Sequence, residues 1–279
     1  MKLVKTVKEL QENLQQLCNN GTIGFVPTMG ALHKGHISLV ENATNENNAV
    51  VVSIFVNPTQ FNNPEDLNRY PRNLDSDLNM LANVNCDLVF VPSVAEMYPV
   101  PDNRKFQFGA LETVMEGKYR PGHFNGVAQV VSKLFDMVKP DKAYFGLKDF
   151  QQLAIVKSMV KQLNLPVEIV SCPIIREKNG LAMSSRNELL SAEERKNASI
   201  ISETIFMAKE LAGQQSVEEL KEWVNERINK NPFFNVEYFE IVDDTNFQSV
   251  KNWEEENVKV GCIAVHCGKV RLIDNIVLN

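Results

Sequence analysis

Two histidines three residues apart, His33 and His36, stand where a predicted strand passes into a predicted helix. Gly30 and Gly35 flank His33, and small residues let a phosphate approach the free N–H groups and the positive dipole end of that helix. Imidazoles placed there can donate hydrogen bonds to a phosphorane-like transition state and to departing pyrophosphate without passing a proton. The segment therefore predicts nucleotide chemistry, although a lone histidine more often has a structural role.

Single polar side chains stand near the ends of other predicted elements. Lys148 follows a short predicted strand at residues 143–145, where its cation can meet a phosphoryl group, although a lone lysine is more often a solvated surface residue. Gln60 and Gln152 each offer a carbonyl and an NH₂, which suits a ligand that carries hydroxyls and a carboxylate. Gln151 and Gln152 point to different helix faces, so only one of them can readily enter a site.

A short segment rich in hydroxyls, Met183, Ser184, Ser185 and Arg186, follows the last predicted strand of the sheet. A mobile loop of this composition can hold the β- and γ-phosphates of a nucleotide and release them after pyrophosphate forms. Taken alone, the same residues equally predict the N-cap of the next helix. The Gly-rich, basic segment 120–126 leaves two roles open, a lid or a structural loop.

Short apolar runs predict the strands that would position these residues. The runs are too uniformly apolar for strands with one wet face, which indicates buried parallel strands. They are residues 22–26, 50–56, 88–91, 143–145 and 167–171. Helical patterns separate them at residues 36–43, 74–81, 127–138 and 150–163. Because such alternation implies right-handed crossovers, we expect an open α/β sheet that binds ligands at the carboxyl ends of its strands.

The two ends of the chain follow other patterns. Thr6 and Glu9 form a capping-box signature for an opening helix that should end at residues 19–21. Beyond Arg176, amphipathic helical patterns precede runs of period two. The helices are predicted at 191–211 and 217–229, and the strands at 236–242, 262–266 and 270–273. The predicted fold is an α/β, Rossmann-like parallel sheet in a domain of residues 1–175, with a smaller C-terminal α+β domain of residues 176–279.

Composition excludes several classes of protein. The 279 residues are 44% hydrophobic and 23% charged, which is too apolar for a disordered chain. A net charge of −6 argues against nucleic-acid or membrane partners, and no apolar run approaches the ~20 residues of a membrane helix. Because the N-terminus lacks the apolar core of a secretory signal, we expect a cytoplasmic protein. The scattered cysteines, without a C-x-x-C motif, predict free thiols at Cys18, Cys86, Cys172, Cys262 and Cys267.

The His33-Lys34-Gly35-His36 pattern resembles the signature of a large nucleotidyltransferase superfamily, and residues 182–187 resemble its phosphate-closing loop. Within it, the sequence is most similar to the pantoate-β-alanine ligase (pantothenate synthetase) family. The blocks that carry the resemblance are residues 25–36, 54–61, 66–72, 119–127, 143–152 and 182–187. The resemblance implies a homodimer of Rossmann-type subunits that uses ATP and Mg²⁺. It also implies a reaction in which pantoate and ATP form pantoyl adenylate, from which β-alanine displaces AMP.

The same resemblance implies roles for individual residues. His36 is similar to the family's catalytic histidine, His33 to its phosphate-binding companion, and Lys148 would steady the transferring phosphoryl group. Gln60 and Gln152 match the glutamines that hold pantoate, and Gln60 also lies near the incoming β-alanine. The other ATP-binding residues that it implies are Met29, Gly30, Ala31, Leu32, Lys34, Gly35, Gly146, Leu147, Asp149, Ile175, Met183, Ser184, Ser185 and Arg186.

The chain departs from the family pattern at Leu147, where glutamate or glutamine is common, and at Thr59, where leucine or methionine is usual. If the usual side chain holds the ribose, this chain either uses its backbone there or binds ATP more weakly. No carboxylate cluster has the spacing of metal ligands, so no protein metal site is expected and Mg²⁺ should arrive on the nucleotide with its waters.

Three other functions stay open on the sequence alone. An adenylyl- or cytidylyltransferase that stops at a stable dinucleotide would share His33 and His36 but would not need Gln60 and Gln152. An RNA-binding, synthetase-like protein is disfavoured by the acidic charge and by a second domain with no basic stripe. A nucleotide-sensing module without turnover is supported only by Leu147.

Overall fold

A computed structural model describes residues 1–17 and 21–278 of the chain. Their contacts divide the chain into two compact units. The first unit is Met1–Phe108 with Arg120–Pro173, and the second is Gly109–Tyr119 with Ile174–Asn279. The sequence pattern predicts a single change of domain between residues 175 and 176, whereas the contacts also assign the segment 109–119 to the second unit.

Strands and helices alternate along most of the first unit. Its strands are β1 (Lys2–Val4), β2 (Ile23–Thr28), β3 (Ala49–Ile54), β4 (Leu88–Phe90), β5 (Lys142–Gly146) and β6 (Glu168–Cys172). Its helices are α1 (Val7–Leu17), α2 (Lys34–Glu46), α3 (Pro64–Arg69), α4 (Leu74–Ala82), α5 (Val94–Met97), α7 (His123–Val138) and α8 (Phe150–Gln162). The second unit contains α6 (Met115–Tyr119), α9 (Ala192–Asn197), α10 (Ser199–Leu211), α11 (Val217–Asn229), β7 (Phe234–Asp243), β8 (Lys259–Cys267) and β9 (Val270–Val277).

The strands of the first unit form one parallel sheet in the order β1-β4-β3-β2-β5-β6. All residues of β3 and β4 are buried, as expected for central strands covered on both faces. The prediction of a buried strand at residues 167–171 is wrong in its burial, because β6 lies at the sheet edge and only Cys172 in it is buried. Burial of each large apolar side chain contributes about 1.5–3 kcal/mol, which explains the uniformly apolar runs in the sequence. Together with the antiparallel sheet of the second unit, this architecture confirms the predicted fold class.

The N-terminal residues form a strand that the sequence pattern does not predict and a helix cap that it does. β1 pairs with β4 at the sheet edge, and its three residues are too few to show a pattern in the sequence. At the start of α1, the N–H of Glu9 donates to Thr6 Oγ1 at 3.2 Å and the N–H of Thr6 donates to Glu9 Oε2 at 3.1 Å. The predicted capping box is therefore confirmed. Cys18 and the predicted helix end at residues 19–20 lie outside the described residues.

The second unit packs helices α10 and α11 against the antiparallel sheet β7-β8-β9. The helical pattern predicted over 191–211 is two helices, α9 and α10, which are interrupted at Ala198. The segment 109–119 belongs to this unit because the buried Glu116 carboxylate pairs with the Arg271 guanidinium at 2.7 and 2.9 Å. Glu116 also accepts the Tyr238 hydroxyl at 2.7 Å. These partners are more than a hundred residues away in sequence, so no local pattern could indicate the pairing.

The cysteines that the structure describes are buried and free: Cys86, Cys172, Cys262 and Cys267. Burial raises the pKa of the Cys86 thiol to about 12 and that of Cys267 to about 11, so both stay protonated and unreactive near neutral pH. Across residues 1–17 and 21–278, no helix has the length and apolar character needed to cross a membrane.

Candidate active site

The loops that carry the predicted nucleotide segments leave neighbouring strands at the centre of the sheet. β2 pairs with β3 on one side and with β5 on the other, so the strand order reverses at β2. In open α/β sheets, ligands bind outside the carboxyl ends of the strands at such a switch point. Residues 29–36 follow β2, and a 3₁₀ helix at Leu147–Asp149 follows β5. The topology thus places both segments where this fold type binds ligands.

The loop after β2 makes a left-handed turn at Gly30 (φ 77°) and Ala31 (φ 49°). Thr28 Oγ1 accepts the N–H of Gly30 at 3.2 Å and holds the start of this turn. Asp77, a buried residue of α4, accepts the N–H groups of Ala31 and Leu32 at 3.0 and 2.6 Å. A Cβ atom on Gly30 would lie 3.0 Å from Asp77 Oδ2, so both the conformation and the close packing favour glycine here.

His33 and His36 cap the N-terminus of α2 reciprocally. His33 Nδ1 accepts the N–H of Gly35 at 3.1 Å, and His36 Nδ1 accepts the N–H of His33 at 3.3 Å. A ring nitrogen that accepts a backbone N–H carries no proton, so each neutral imidazole keeps its proton on Nε2. The ring centroids are 4.1 Å apart. The cap therefore places two neighbouring rings, each with its donor on Nε2, at the N-terminus of α2.

The His36 ring is neutral at ordinary pH. Removal from water lowers the pKa of His36 well below its usual 6.5, and electrostatic interactions with the neighbouring His33 and with Lys148 lower this pKa further. Lys148 acts on His36 because the loop after β5 lies beside the loop after β2. A neutral imidazole at a helix N-terminus donates a hydrogen bond without adding a charge. The structure thus brings His33, His36 and Lys148 together within the first unit.

We expect an NMR pH titration to show that His36 remains neutral at pH 6.5, where an ordinary histidine is half protonated. Because the unfolded chain binds this proton more readily than the folded chain, His36 lowers the free energy of unfolding as the pH falls from 6.5 toward its folded pKa. The His36→Asn variant assigns the resonance and should lose that part of the pH dependence. Titration of the His36 signal at or above pH 6.5 would contradict this.

Gln60 is buried in a short 3₁₀ helix, Pro58–Gln60, that follows β3. Its Nε2 lies 3.1 Å from Met29 Sδ, so the structure brings together a predicted pantoate residue and a predicted ATP residue. The backbone carbonyl of Gln60 lies 2.8 Å from Nδ1 of the buried His123. Because a carbonyl can only accept, the His123 ring carries a proton on Nδ1. His123 thereby ties the first turn of α7 to the segment that carries Gln60.

Asn57 braces the same segment from a fully buried position. Its amide donates to the Gly126 carbonyl at 3.2 Å, and its Oδ1 accepts the Tyr98 hydroxyl at 2.9 Å. A Cβ on Gly126 would lie 2.7 Å from the carbonyl carbon of Thr59, so α7 can pack this closely only with glycine at that position. Of the two roles left open for residues 120–126, this packing favours the structural one.

The remaining predicted residues of the first unit lie at the end of β5 and in the first turn of α8. Gly146 ends β5, Leu147 begins the 3₁₀ helix that carries Lys148, and all three are half-buried. Gln151 is buried whereas Gln152 is half-buried, on a different helix face. The greater exposure of Gln152 is consistent with the choice of Gln152, not Gln151, as the residue that meets a ligand.

In the second unit, Ile175 and Met183 are neighbours across a chain reversal, because the N–H of Met183 donates to the Ile175 carbonyl at 2.9 Å. Ser184 Oγ accepts the N–H of Arg186 at 3.3 Å and caps the 3₁₀ helix Ser185–Leu189. The N-cap that these residues predict when taken alone is therefore present. Their predicted phosphate contacts stay a prediction.

Comparison with known proteins identifies the family of this chain. The family model described as pantoate-beta-alanine ligase matches residues 2–277. The chain belongs to the pantoate-β-alanine ligase family. A pantothenate synthetase of Bacteroides thetaiotaomicron is 56% identical over 277 residues, which cover 99% of this chain and 98% of that protein. The resemblance found in the sequence is thus confirmed, as are the ligase class and the link to pantothenate biosynthesis.

Solved structures of pantoate-β-alanine ligases share the fold of this chain. The pantothenate synthetase of Thermus thermophilus has a TM-score of 0.93 and 44% identity, with coverage of 100% of this chain and 99% of that chain. The ligase of Francisella tularensis, in a structure described as a complex with Beta-gamma ATP and β-alanine, has a TM-score of 0.84 and 38% identity. That match covers 100% of this chain and 98% of the Francisella chain.

The structure adds residues that the sequence did not single out. Asn57, His123 and Gly126 lie inside sequence blocks that resemble the pantoate-β-alanine ligase family, so a signal was present, but their contacts were not foreseeable. Asp77 lies outside those blocks, in the first turn of an ordinary amphipathic helix. Its burial and its distant backbone partners are visible only in the folded chain.

Proposed function

We propose that this chain activates pantoate with ATP, forming pantoyl adenylate and pyrophosphate, and then transfers the pantoyl group to β-alanine with release of AMP. The observation that carries the proposal is the pair of histidines at the N-terminus of α2, each with its donor on Nε2, near the cation of Lys148. The family of the chain and the ATP and β-alanine in the Francisella tularensis complex support the choice of substrates.

In the first step a carboxylate oxygen of pantoate attacks the α-phosphorus of ATP. A new O–P bond forms while the bond between the α-phosphorus and its bridging oxygen to the β-phosphorus breaks, and the electron pair leaves with pyrophosphate. Negative charge grows on the phosphoryl oxygens and on the leaving group, so fixed donors are needed more than a protein nucleophile. His33 and His36 supply such donors, and Lys148 supplies the positive charge.

In the second step the amine nitrogen of β-alanine attacks the acyl carbon of the adenylate. The C–N bond forms, the C–O bond to the phosphate breaks, AMP leaves with the electron pair of that bond, and the amine nitrogen releases one proton to solvent. We propose that Gln60 and Gln152 hold pantoate through both steps, since amide groups can both donate to a carboxylate and accept from hydroxyls. Gln60 also lies near the incoming β-alanine in this proposal, and its burial and its contact with Met29 give it a defined position.

Mg²⁺ enters this proposal as part of the nucleotide substrate. Within the described part of the chain, no group of three or more histidine, cysteine, aspartate or glutamate side chains could hold a metal ion. Phosphate oxygens and waters are ligands that Mg²⁺ prefers, so we propose that it arrives bound to ATP. The homodimer, the cytoplasmic location and the lack of nucleic-acid or membrane partners stay predictions.

The proposal is tested by incubating the purified chain with ATP, Mg²⁺, pantoate and β-alanine and omitting each in turn. Sustained AMP release is expected only when all four are present. Without β-alanine, pantoate, ATP and Mg²⁺ should still support exchange of labelled pyrophosphate into ATP. A stable dinucleotide product would instead indicate a nucleotidyltransferase that stops after one step. Absence of any sustained ATP consumption would overturn the proposal.

Replacing Gly126 with alanine should move the segment that carries Gln60. Glycine to alanine inside a helix normally stabilises a protein by about 0.5–1 kcal/mol. Here the new methyl meets the Thr59 backbone, so we expect a loss of about 1–3 kcal/mol in the free energy of unfolding. We also expect a higher KM for pantoate with a smaller change in the KM for ATP. Urea unfolding and steady-state kinetics check both, and an unchanged or increased stability would contradict the packing argument.

A further inference from the structure

Asp77 is an acidic side chain in an interior position, with only 2% of its surface exposed. A buried carboxylate is costly unless hydrogen bonds satisfy it. Both of its oxygens are used, since Oδ2 accepts the N–H of Ala31 at 3.0 Å and Oδ1 accepts the N–H of Leu32 at 2.6 Å. Charge-assisted bonds of this kind are shorter and stronger than neutral ones. The loop after β2 is thus anchored to α4.

The loop segment that Asp77 anchors has an unfavourable backbone conformation. Ala31 has a φ of 49°, in the left-handed region that residues other than glycine adopt at a cost. Such a conformation persists where the surrounding structure imposes it, and the Asp77 carboxylate supplies that constraint through the N–H groups of Ala31 and Leu32. His33, the N-cap of α2, follows directly after these two residues.

We propose that Asp77 is a positioning residue for the nucleotide, which holds the turn at Gly30 and Ala31 and thereby sets the cap formed by His33 and His36. Asp77 acts through the backbone of the loop and not on the reacting atoms. The inference rests on the proposed function, because that function places ATP on this loop. Reactive groups must be held within about 0.5 Å of their productive positions, so a small relaxation of the turn has a large effect on rate.

The informative substitution is Asp77→Asn, which keeps the shape of the side chain but replaces one acceptor oxygen with an NH₂ donor. One of the two loop N–H groups would then face a donor. Asp75→Asn is the matched control, since Asp75 lies in the same first turn of α4 but is exposed. Asp77→Ser, a smaller side chain with one hydroxyl, serves as a second variant if Asp77→Asn does not fold.

Two readouts distinguish positioning from general stability. Hydrogen exchange measured by mass spectrometry should show faster exchange in peptides that contain Ala31 and Leu32, with exchange in the sheet strands unchanged. Affinity for an ATP analogue with a methylene between the α- and β-phosphorus should fall about 10-fold, while Asp75→Asn matches the wild type in both measurements. Unchanged exchange in the loop together with unchanged affinity would overturn the proposal.

Kinetics separate this inference from the proposed function. Pantoate-dependent pyrophosphate exchange should fall about 10-fold or more in kcat/KM for ATP in Asp77→Asn, with the KM for β-alanine unaltered. If the wild-type chain shows no pyrophosphate exchange, the proposed function fails. Hydrogen exchange in the loop and binding of the ATP analogue then still decide the role of Asp77. Equal losses of pyrophosphate-exchange activity in Asp77→Asn and Asp75→Asn would indicate that either substitution acts by disturbing helix α4. That result would overturn the inference.

Discussion

Replacement of His36 with alanine should lower kcat by about 10² or more. The substitution removes one hydrogen-bond donor that stabilises the negative charge on the transferring and departing phosphates. The effect should be large because His36 is neutral with its proton on Nε2, so donation is the role that its environment allows. Alanine also removes the acceptor for the His33 N–H, which loosens the cap of α2. Pantoate-dependent pyrophosphate exchange measures the loss directly.

Two comparison variants sharpen this result. His36→Gln keeps an NH₂ donor at the end of the side chain and should retain more activity than alanine. His266→Ala removes an imidazole that lies in the second unit and pairs with Glu237, and its rate should stay near that of the wild type. Unchanged turnover in His36→Ala would remove His36 from the mechanism.

Replacement of Lys148 with methionine should lower kcat/KM for ATP by about 10²–10³, because the transferring phosphoryl group loses a fixed positive charge in a partly buried site. Methionine keeps most of the length and apolar surface of the lysine, so the folded structure should change little. The substitution carries a second expected result. Burial is the main cause of the lowered His36 pKa and the Lys148 charge adds to it, so removal of that charge should raise the pKa while leaving it below 6.5.

The matched control for Lys148→Met is Lys142→Met, because Lys142 begins β5 whereas Lys148 follows its other end. Lys142 forms an ion pair with Glu46 at 2.8 Å, and exposed pairs of this kind contribute little to stability because water and salt screen them. We therefore expect near-normal kcat/KM and an unaltered His36 titration for Lys142→Met. An unchanged His36 pKa in Lys148→Met would show that the two loops do not interact as described.

Much of the fold could be predicted from patterns a few residues long. The strands β2 to β5 could be predicted because their apolar runs have no wet face, and helix starts such as Thr6 with Glu9 because a cap requires particular side chains. The run that forms β6 also predicts a strand, but its position at the sheet edge leaves most of it outside the core. The strand β1 was missed because three residues show no period. The assignment of residues 109–119 to the second unit depends on the pairing of Glu116 with Arg271, which joins distant parts of the chain.

Some residues of the candidate site could likewise be predicted from the sequence, and others could not. The types and spacing of His33 and His36 at a predicted helix start indicate them in the sequence, and Lys148 is indicated by its place at the carboxyl end of a predicted strand. That the two segments are neighbours follows from the strand order, which only the structure shows. Asp77 could not be found, because an acidic residue in the first turn of a helix is ordinary in sequence. Only its burial, and the two loop N–H groups that it accepts, set it apart.

By itself the sequence determined the family, with it the ligase class, and the fold class, because motifs of residue type and spacing and the alternation of apolar runs can all be read along the chain. Tertiary structure alone decided which state the catalytic candidates occupy. The proton positions on His33 and His36 follow from backbone N–H groups that reach their Nδ1 atoms once the loop has turned. The pKa of His36 follows from burial and from the charge of Lys148, which folding brings near from more than a hundred residues away. Hydrogen bonds and electrostatic fields act through space, so their partners become defined only when the sheet forms.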